Sequence, residues 1–309
     1  MVKWDKNHII SIRDFSREEI DYILEKSYLM EKKISHGKAS SLMKNKILGI
    51  LFFEPSTRTR MSFEAAMKIL GGTTIGFDSS LATSEVKGET IADTIKIVSS
   101  YTDIIVMRHP VEGSARLATE FSEVPIINGG DGSNQHPTQT LLDLYTIKKK
   151  FKRIDGLTIA MVGDLKYGRT VHSLTDGLMN YNDISLRLIS PPDLRMPDRI
   201  LRELKEKKIK VSETSKLNLK DCDVIYATRI QRERFPDPQE YERVKDAYVL
   251  DIRILDDLKE DAIIMHPLPR VSEISPELDK TKFAFYFEQA KNGIPVRATL
   301  LCLVSGVKF

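Results

Sequence analysis

Residues 47–53 form a continuous apolar run, Ile-Leu-Gly-Ile-Leu-Phe-Phe, and Glu54-Pro55-Ser56-Thr57-Arg58-Thr59-Arg60 follows it directly. An apolar run of that length, closed by a proline, reads as a buried strand. Ser56 and Thr57 suit the start of a helix, and residues 61–70 continue at helical spacing until Gly71-Gly72 stops them. A strand that turns at once into a helix is the opening half of an α/β repeat. The turn also has a chemistry. Free backbone N–H groups and the helix dipole favour negative charge at a helix N-terminus. Hydroxyls and an arginine gathered there make an anion cradle suited to phosphate. A plain helix cap needs one hydroxyl and has no use for Arg58 and Thr59 beside it.

The same alternation recurs along the chain. Ser16-Arg17-Glu18-Glu19 is a capping box that opens a helix ending near Gly37. Strand-like runs follow at 47–53, 73–77, 104–108 and 124–128, with a helical stretch at 90–101. Asn128-Gly129-Gly130-Asp131-Gly132 reads as a flexible loop, after which Pro137 sits in the first turn of a helix reaching about Lys150. A second series places strands at 158–162, 185–189, 224–227, 248–250 and 263–265, and a closing helix passes through 288–290 and 298–304. The expected fold class is α/β, with two domains, each a central, mainly parallel sheet flanked by helices. The first domain covers 1–136 plus a C-terminal helix at about 288–309, a linking helix covers 137–150, and the second domain covers 151–287.

A chain of 309 residues suits two domains. Its 47 basic and 44 acidic residues nearly cancel, so charge gives no case for nucleic acid or a membrane surface as partner. Cys222 and Cys302 lie far apart and neither belongs to a CxxC pair, which argues against a zinc site or a disulfide framework. The first residues lack the apolar core of a signal peptide, and no apolar run approaches membrane-spanning length. The expectation is a reduced, cytoplasmic protein.

Ligands of open α/β sheets bind outside the carboxyl ends of the strands, so polar residues after strands are the candidates. Arg108-His109-Pro110 follows one strand, and a strand-end arginine can hold an anion. His136 and Gln139 stand three apart at a helix start and can point the same way. His136 can donate to an oxyanion or serve as an ordinary cap; Gln139 can bind an amide. Gly163-Asp164-Leu165-Lys166-Tyr167-Gly168-Arg169-Thr170 resembles a nucleotide P-loop with arginine in the lysine position, and GxGxxG is missing. A loop that aims Arg169 at an anionic substrate explains the same residues. Arg229 and Gln231 follow the strand at 224–227 and suit a carboxylate, whereas the following Arg232-Glu233-Arg234 reads as a solvated face. In His266-Pro267-Leu268-Pro269-Arg270 two prolines restrict the backbone, so carbonyls there can point rigidly at a ligand. Residues 83–90 are a polar loop in which Lys87 can reach an anion.

Taken together, the segments 56–60 (Ser-Thr-Arg-Thr-Arg), 107–110 (Met-Arg-His-Pro), 136–139 (His-Pro-Thr-Gln), 163–169, 228–231 (Thr-Arg-Ile-Gln) and 266–270 resemble the aspartate/ornithine carbamoyltransferase family. They occur in family order across nearly the whole chain. His-Pro-Leu-Pro at 266–269, rather than His-Cys-Leu-Pro, favours the aspartate branch. The resemblance implies that the amino group of L-aspartate attacks the carbonyl carbon of carbamoyl phosphate, an early step of pyrimidine synthesis. It implies no metal and no organic cofactor. The first domain would bind carbamoyl phosphate and the second aspartate. Ser56, Thr57, Arg58, Thr59 and Arg108 would hold the phosphate. Thr59, Arg108 and His136 would stabilise the carbonyl oxygen, each such donor being worth roughly 3 kcal/mol. Gln139 and the carbonyls of Leu268 and Pro269 would bind the carbamoyl nitrogen, and Arg169, Arg229 and Gln231 the aspartate carboxylates. Ser84 and Lys87 match a loop that completes the site of a neighbouring subunit in a homotrimer, Lys87 serving both substrates, although the serine–lysine spacing is one residue shorter than the family pattern. Glu54 would pair with Arg169 and Arg234 on domain closure, and Glu240 with Lys166 and Tyr167. Some members of the family also join regulatory chains.

Two other readings compete with this one. A carbamoyltransferase with another acceptor is disfavoured by Arg169, Arg229 and Gln231, which suit a dicarboxylate better than a cationic ornithine. A catalytically silent scaffold would be expected to lose part of the phosphate and oxyanion set, and this chain keeps all of it.

Overall fold

The structure is a computed structural model describing residues 4–79, 88–230, 238–244 and 247–309. It divides into two compact units, one of residues 1–145 and 292–309 and one of residues 146–291.

The first unit opens with α1 (Arg17–Ser35), whose capping box forms as expected: Glu19 N–H donates to Ser16 Oγ and Ser16 N–H to Glu19 Oε2. There follow β1 (Ile47–Phe52), α2 (Thr57–Ile69), β2 (Thr73–Phe77), α3 (Ile91–Ser99), β3 (Ile104–His109), α4 (Ser114–Thr119), β4 (Ile126–Asp131) and α5 (Pro137–Phe151). The four strands form a parallel sheet in the order β2-β1-β3-β4. All six residues of β3 are buried, the signature of a parallel strand covered on both faces. Leu51, Phe53, Ile105 and Met107 pack with Ile95, Ala115 and Ala118 from α3 and α4. Each such large apolar side chain contributes roughly 1.5–3 kcal/mol by leaving water.

The glycine-rich segment 128–132 departs from expectation. It is not a loop: β4 continues through Asp131, entirely buried. Close packing favours glycine there, since a Cβ on Gly129 would lie a tight 3.2 Å from the Met107 carbonyl oxygen.

The second unit contains β5 (Thr158–Val162), α6 (Arg169–Leu178), β6 (Ser185–Ile189), α7 (Asp198–Glu206), β7 (Lys210–Thr214), β8 (Val224–Ala227), α8 (Pro238–Val244) and β9 (Ile263–Met265). Its sheet is also parallel, in the order β7-β6-β5-β8-β9. Strand β7 had no sequence signal, because Lys-Val-Ser-Glu-Thr lies on the sheet edge with four exposed residues. Residues 248–250, expected as a strand, give only an isolated bridge from Leu250 to Ile274. The last helix, α9 (Tyr286–Val304), is one continuous element that runs through Pro295. The chain passes from the first unit to the second within α5 and returns within α9. Among the described residues, no helix is long and apolar enough to cross a membrane.

Candidate active site

In each sheet the strand order reverses at one point, and the crevice at the carboxyl ends there is the natural ligand site of an α/β fold. In the first unit that point lies between β1 and β3. The candidate residues sit there because the sequence turns from apolar to polar as each strand ends. Phe53 N–H donates to the Arg108 carbonyl at 2.8 Å, which ties the two strand ends together. Ser56 is the N-cap of α2, yet its side chain makes no capping hydrogen bond. Its hydroxyl is therefore not committed to the helix, unlike that of Ser16. Thr57 and Arg58 are exposed, Ser56 is half-buried and Thr59 is buried. Arg60 belongs to a different structure: it pairs with Glu64 at 2.7 Å and with Asp78.

Arg108 is only 8 % exposed. Its Nη1 donates to the Gly129 carbonyl at 3.2 Å, and its Nη2 lies 3.0 Å from Glu54 Oε2. The guanidinium is thus held by the ends of β1 and β4 as well as its own strand. Glu54, which the resemblance assigns to partners on closure, is here an ion-pair partner of Arg108. His136 is 4 % exposed, and its carbonyl accepts the N–H groups of Gln139 and Thr140 as α5 begins. Gln139, on the first turn of α5, is also buried; its Nε2 donates to Asp143 Oδ1 at 2.8 Å.

In the second unit the order reverses between β5 and β8. The loops after these strands are joined: Thr228 Oγ1 donates to the Val162 carbonyl at 3.1 Å and accepts from Asp164 N–H at 3.1 Å. Gly163 makes the approach feasible. Its φ is +115°, and a Cβ there would lie 2.4 Å from the Thr228 carbonyl oxygen. Arg169 is the first residue of α6 and Arg229 lies one residue past Thr228, both half-buried. The resemblance of this segment to a P-loop fails on geometry. Asp164 is buried, and its Oδ1 accepts the N–H groups of Lys166 and Tyr167 at 3.1 and 2.9 Å. A carboxylate therefore takes the backbone donors that a P-loop offers to phosphate. Lys166 Nζ lies 5.0 Å from the centroid of the Tyr167 ring.

The 266–270 turn is fixed by its own His266 and by Glu273, which the sequence did not single out. Leu268 N–H donates to His266 Nδ1 at 2.8 Å, so the imidazole proton is on Nε2, which donates to Glu273 Oε1 at 2.8 Å. Glu273 Oε2 accepts from Val271 and Ser272 N–H. Burial alone would raise the Glu273 carboxyl, but the His266 hydrogen bond and the backbone donors hold it below its usual value. Leu268 has φ +53°, a left-handed conformation uncommon for leucine, and the peptide to Pro269 is cis. The only sequence signal for this brace is a histidine and a glutamate seven apart around two prolines. Ser84, Lys87, Gln231, Arg234 and the side chain of Glu240 lie outside the described residues.

Two family models together cover nearly the whole chain. Residues 7–149 match the carbamoyl-P binding domain of aspartate/ornithine carbamoyltransferase, and residues 155–304 match the Asp/Orn binding domain. The chain is 57 % identical over 306 residues to the aspartate carbamoyltransferase catalytic subunit of Thermococcus kodakarensis, covering 98 % of each chain. The solved catalytic subunit of M. jannaschii aspartate transcarbamoylase superposes with a TM-score of 0.90 at 50 % identity, covering 98 % of this chain and 100 % of that one. Aspartate transcarbamoylase from Trypanosoma cruzi, solved with carbamoyl phosphate and aspartate, gives a TM-score of 0.90 at 39 % identity, with 96 % and 95 % coverage. With both domains matched and relatives aligned end to end, the chain belongs to the aspartate/ornithine carbamoyltransferase family.

Proposed function

We propose that this chain transfers the carbamoyl group of carbamoyl phosphate to the α-amino group of L-aspartate, giving N-carbamoyl-L-aspartate and phosphate, in pyrimidine biosynthesis. The observation that carries this reading is the pairing of two different strand-end sets. One combines a helix N-terminus with Arg108, His136 and Gln139; the other places Arg169 and Arg229 at the reversal point of the second sheet. The first has the donors that a phosphate and a developing oxyanion need, and the second has the forks that two carboxylates need.

In this reading Ser56, Thr57, Arg58, Thr59 and Arg108 bind the phosphate. Attack of the neutral amine on the carbonyl carbon forms a tetrahedral intermediate, whose oxygen takes hydrogen bonds from Thr59, Arg108 and His136. Gln139 Oε1 and the carbonyls of Leu268 and Pro269 accept the N–H groups of the carbamoyl nitrogen. The C–O bond to phosphate then breaks, and the departing phosphate takes the proton from the attacking nitrogen. Arg169, Arg229 and Gln231 hold the aspartate carboxylates. No organic cofactor or metal enters this scheme.

We also place the chain in a cytoplasmic homotrimer in which Ser84 and Lys87 reach a neighbour's site. The relatives are named as catalytic subunits, which supports a regulatory partner chain. Mixing a Lys87→Ala chain with an Arg108→Ala chain tests the shared site: regained activity fits it, and additive inactivity rejects it. The reaction itself is tested by incubating purified chain and carbamoyl phosphate with L-aspartate or L-ornithine. Carbamoyl-aspartate alone is the expected product; carbamoylation of ornithine alone would overturn the reading of Arg169 and Arg229.

A further inference from the structure

Arg297 is the only charged residue between Lys291 and Lys308, in the middle of the otherwise apolar second half of α9. It is 4 % exposed. Burying a cation is costly unless it is compensated, and replacing buried ion pairs by apolar residues is often neutral or stabilising. Stability is therefore a poor account of its presence. Burial pushes its pKa down to about 10, and the fully buried carboxylate of Asp143 acts in the opposite direction. The guanidinium stays charged at neutral pH. Room for it is built in: a Cβ on Gly293 would lie 2.6 Å from Arg297 Nη1 and 3.3 Å from Leu142 Cδ2. A glycine inside a helix costs helix stability, so the space it leaves has a use.

Arg297 and Asp143 each touch one part of the carbamoyl phosphate set, and their opposite charges attract. On one side Arg297 Nη1 donates to Ser62 Oγ at 2.5 Å, Ser62 donates to the Thr59 carbonyl at 2.9 Å, and the guanidinium lies 5.1 Å from the Phe63 ring centroid. On the other side Asp143 accepts from Gln139 Nε2. An ionised carboxylate only accepts hydrogen bonds. It therefore fixes the Gln139 amide with its NH2 toward Asp143 and leaves Oε1 to accept from a ligand.

We infer that Asp143 and Arg297 are positioning residues that set which way round the Gln139 amide stands, and thereby select carbamoyl phosphate over acyl phosphates whose terminal group cannot donate. Carbamoyl phosphate ends in –NH2, which donates to Oε1. Acetyl phosphate has a methyl group in the same place. An amide free to turn over would present its own NH2 to the ligand's NH2, two donors with no acceptor between them. This rests on the reading that Gln139 receives the carbamoyl nitrogen. An ordinary i,i+4 helix contact between Gln139 and Asp143 would have no bearing on the choice between the two ligands.

The test is equilibrium binding of carbamoyl phosphate and of acetyl phosphate to the full chain, in four forms: wild type, Gln139→Ala, Asp143→Asn, and the volume-conserving double variant Asp143→Leu/Arg297→Met. The double variant removes both charges together and so keeps the question open to measurement if Asp143→Asn does not fold. Each variant is expected to bind carbamoyl phosphate about tenfold more weakly, as for one hydrogen bond, with acetyl phosphate changed by less than about twofold. A double variant that keeps the wild-type preference, beside a Gln139→Ala variant that loses it, overturns the inference and leaves the role of Gln139 standing. Equal weakening of both ligands in the Asp143 variants, again with Gln139→Ala selective, also overturns it. Gln139→Ala with an unchanged preference overturns both.

Discussion

The two strand-end sets differ in how firmly the fold holds them. In the first unit Thr59, Arg108, His136 and Gln139 are all buried, and Arg108 is held by Glu54 and the Gly129 carbonyl. In the second unit the loops themselves are locked through Thr228, Asp164 and Gly163, but Arg169 and Arg229 remain half-buried beyond them. The difference follows the chemistry each set is given. Donors that stabilise a transient oxyanion must be aimed before the charge appears, because reorganisation at that moment would forfeit the gain. Charges that bind a stable carboxylate need only be present and can settle as the ligand docks. In the proposed reading the buried donors Thr59, Arg108 and His136 serve the reacting carbonyl, and the half-buried Arg169 and Arg229 serve substrate recognition.

This contrast can be broken most directly in the first unit. His136→Ala is expected to lower kcat by about 10²–10³-fold, the effect of removing one oxyanion donor, with a much smaller change in the KM for aspartate. Steady-state kinetics at saturating substrates checks this, and a pure KM effect would remove His136 from the chemical step. A smaller effect is expected in the second unit. Arg229→Ala should raise the KM for aspartate roughly 10- to 100-fold, the range for a lost hydrogen bond to a charged group. A series of dicarboxylate inhibitors should weaken in parallel, whereas a loss confined to kcat would contradict the assignment.

The smallest effect concerns the brace beneath Leu268. Glu273 is held below its usual value of 4.5 in the folded chain. A depressed carboxyl stabilises the fold fully above the unfolded value, and that contribution disappears as pH falls through the folded value. Glu273→Gln should therefore reduce stability by about 1–3 kcal/mol at neutral pH, and less as the pH falls below 4.5. Urea unfolding at pH 7 and pH 4 measures this. Equal destabilisation at both pH values would place the effect elsewhere.

Much of this arrangement was legible in the sequence because the candidate residues lie at or after the ends of apolar strands. Arg108 at the end of β3, Arg169 after β5 and Arg229 after β8 stand where the apolar pattern gives way to charge. What was hidden lacked that contrast. Strand β7 is an exposed, charged edge, so it carries no apolar run to detect. The glycines of β4 read as a loop because glycine ordinarily signals turns, whereas here they allow a strand to pack closely. The single closing helix was legible despite Pro295, because the loss of one hydrogen bond does not end a helix whose Val296, Ala298, Leu300 and Leu301 are buried. The supports of the site, Glu273, Asp143 and Arg297, are distant in sequence from one another or look like ordinary charged residues. Only burial marks them as special, and burial is a property of the folded chain.

The division of labour between the two sets is tested most directly by equilibrium binding of carbamoyl phosphate to wild type, Arg108→Ala and Arg229→Ala. Arg229→Ala is predicted to bind it within about twofold of wild type, while Arg108→Ala, lacking a hydrogen-bonded charge, weakens by roughly tenfold or more. Equal weakening in both variants would contradict the account, because it would make Arg229 a phosphate ligand and not a recognition group for aspartate.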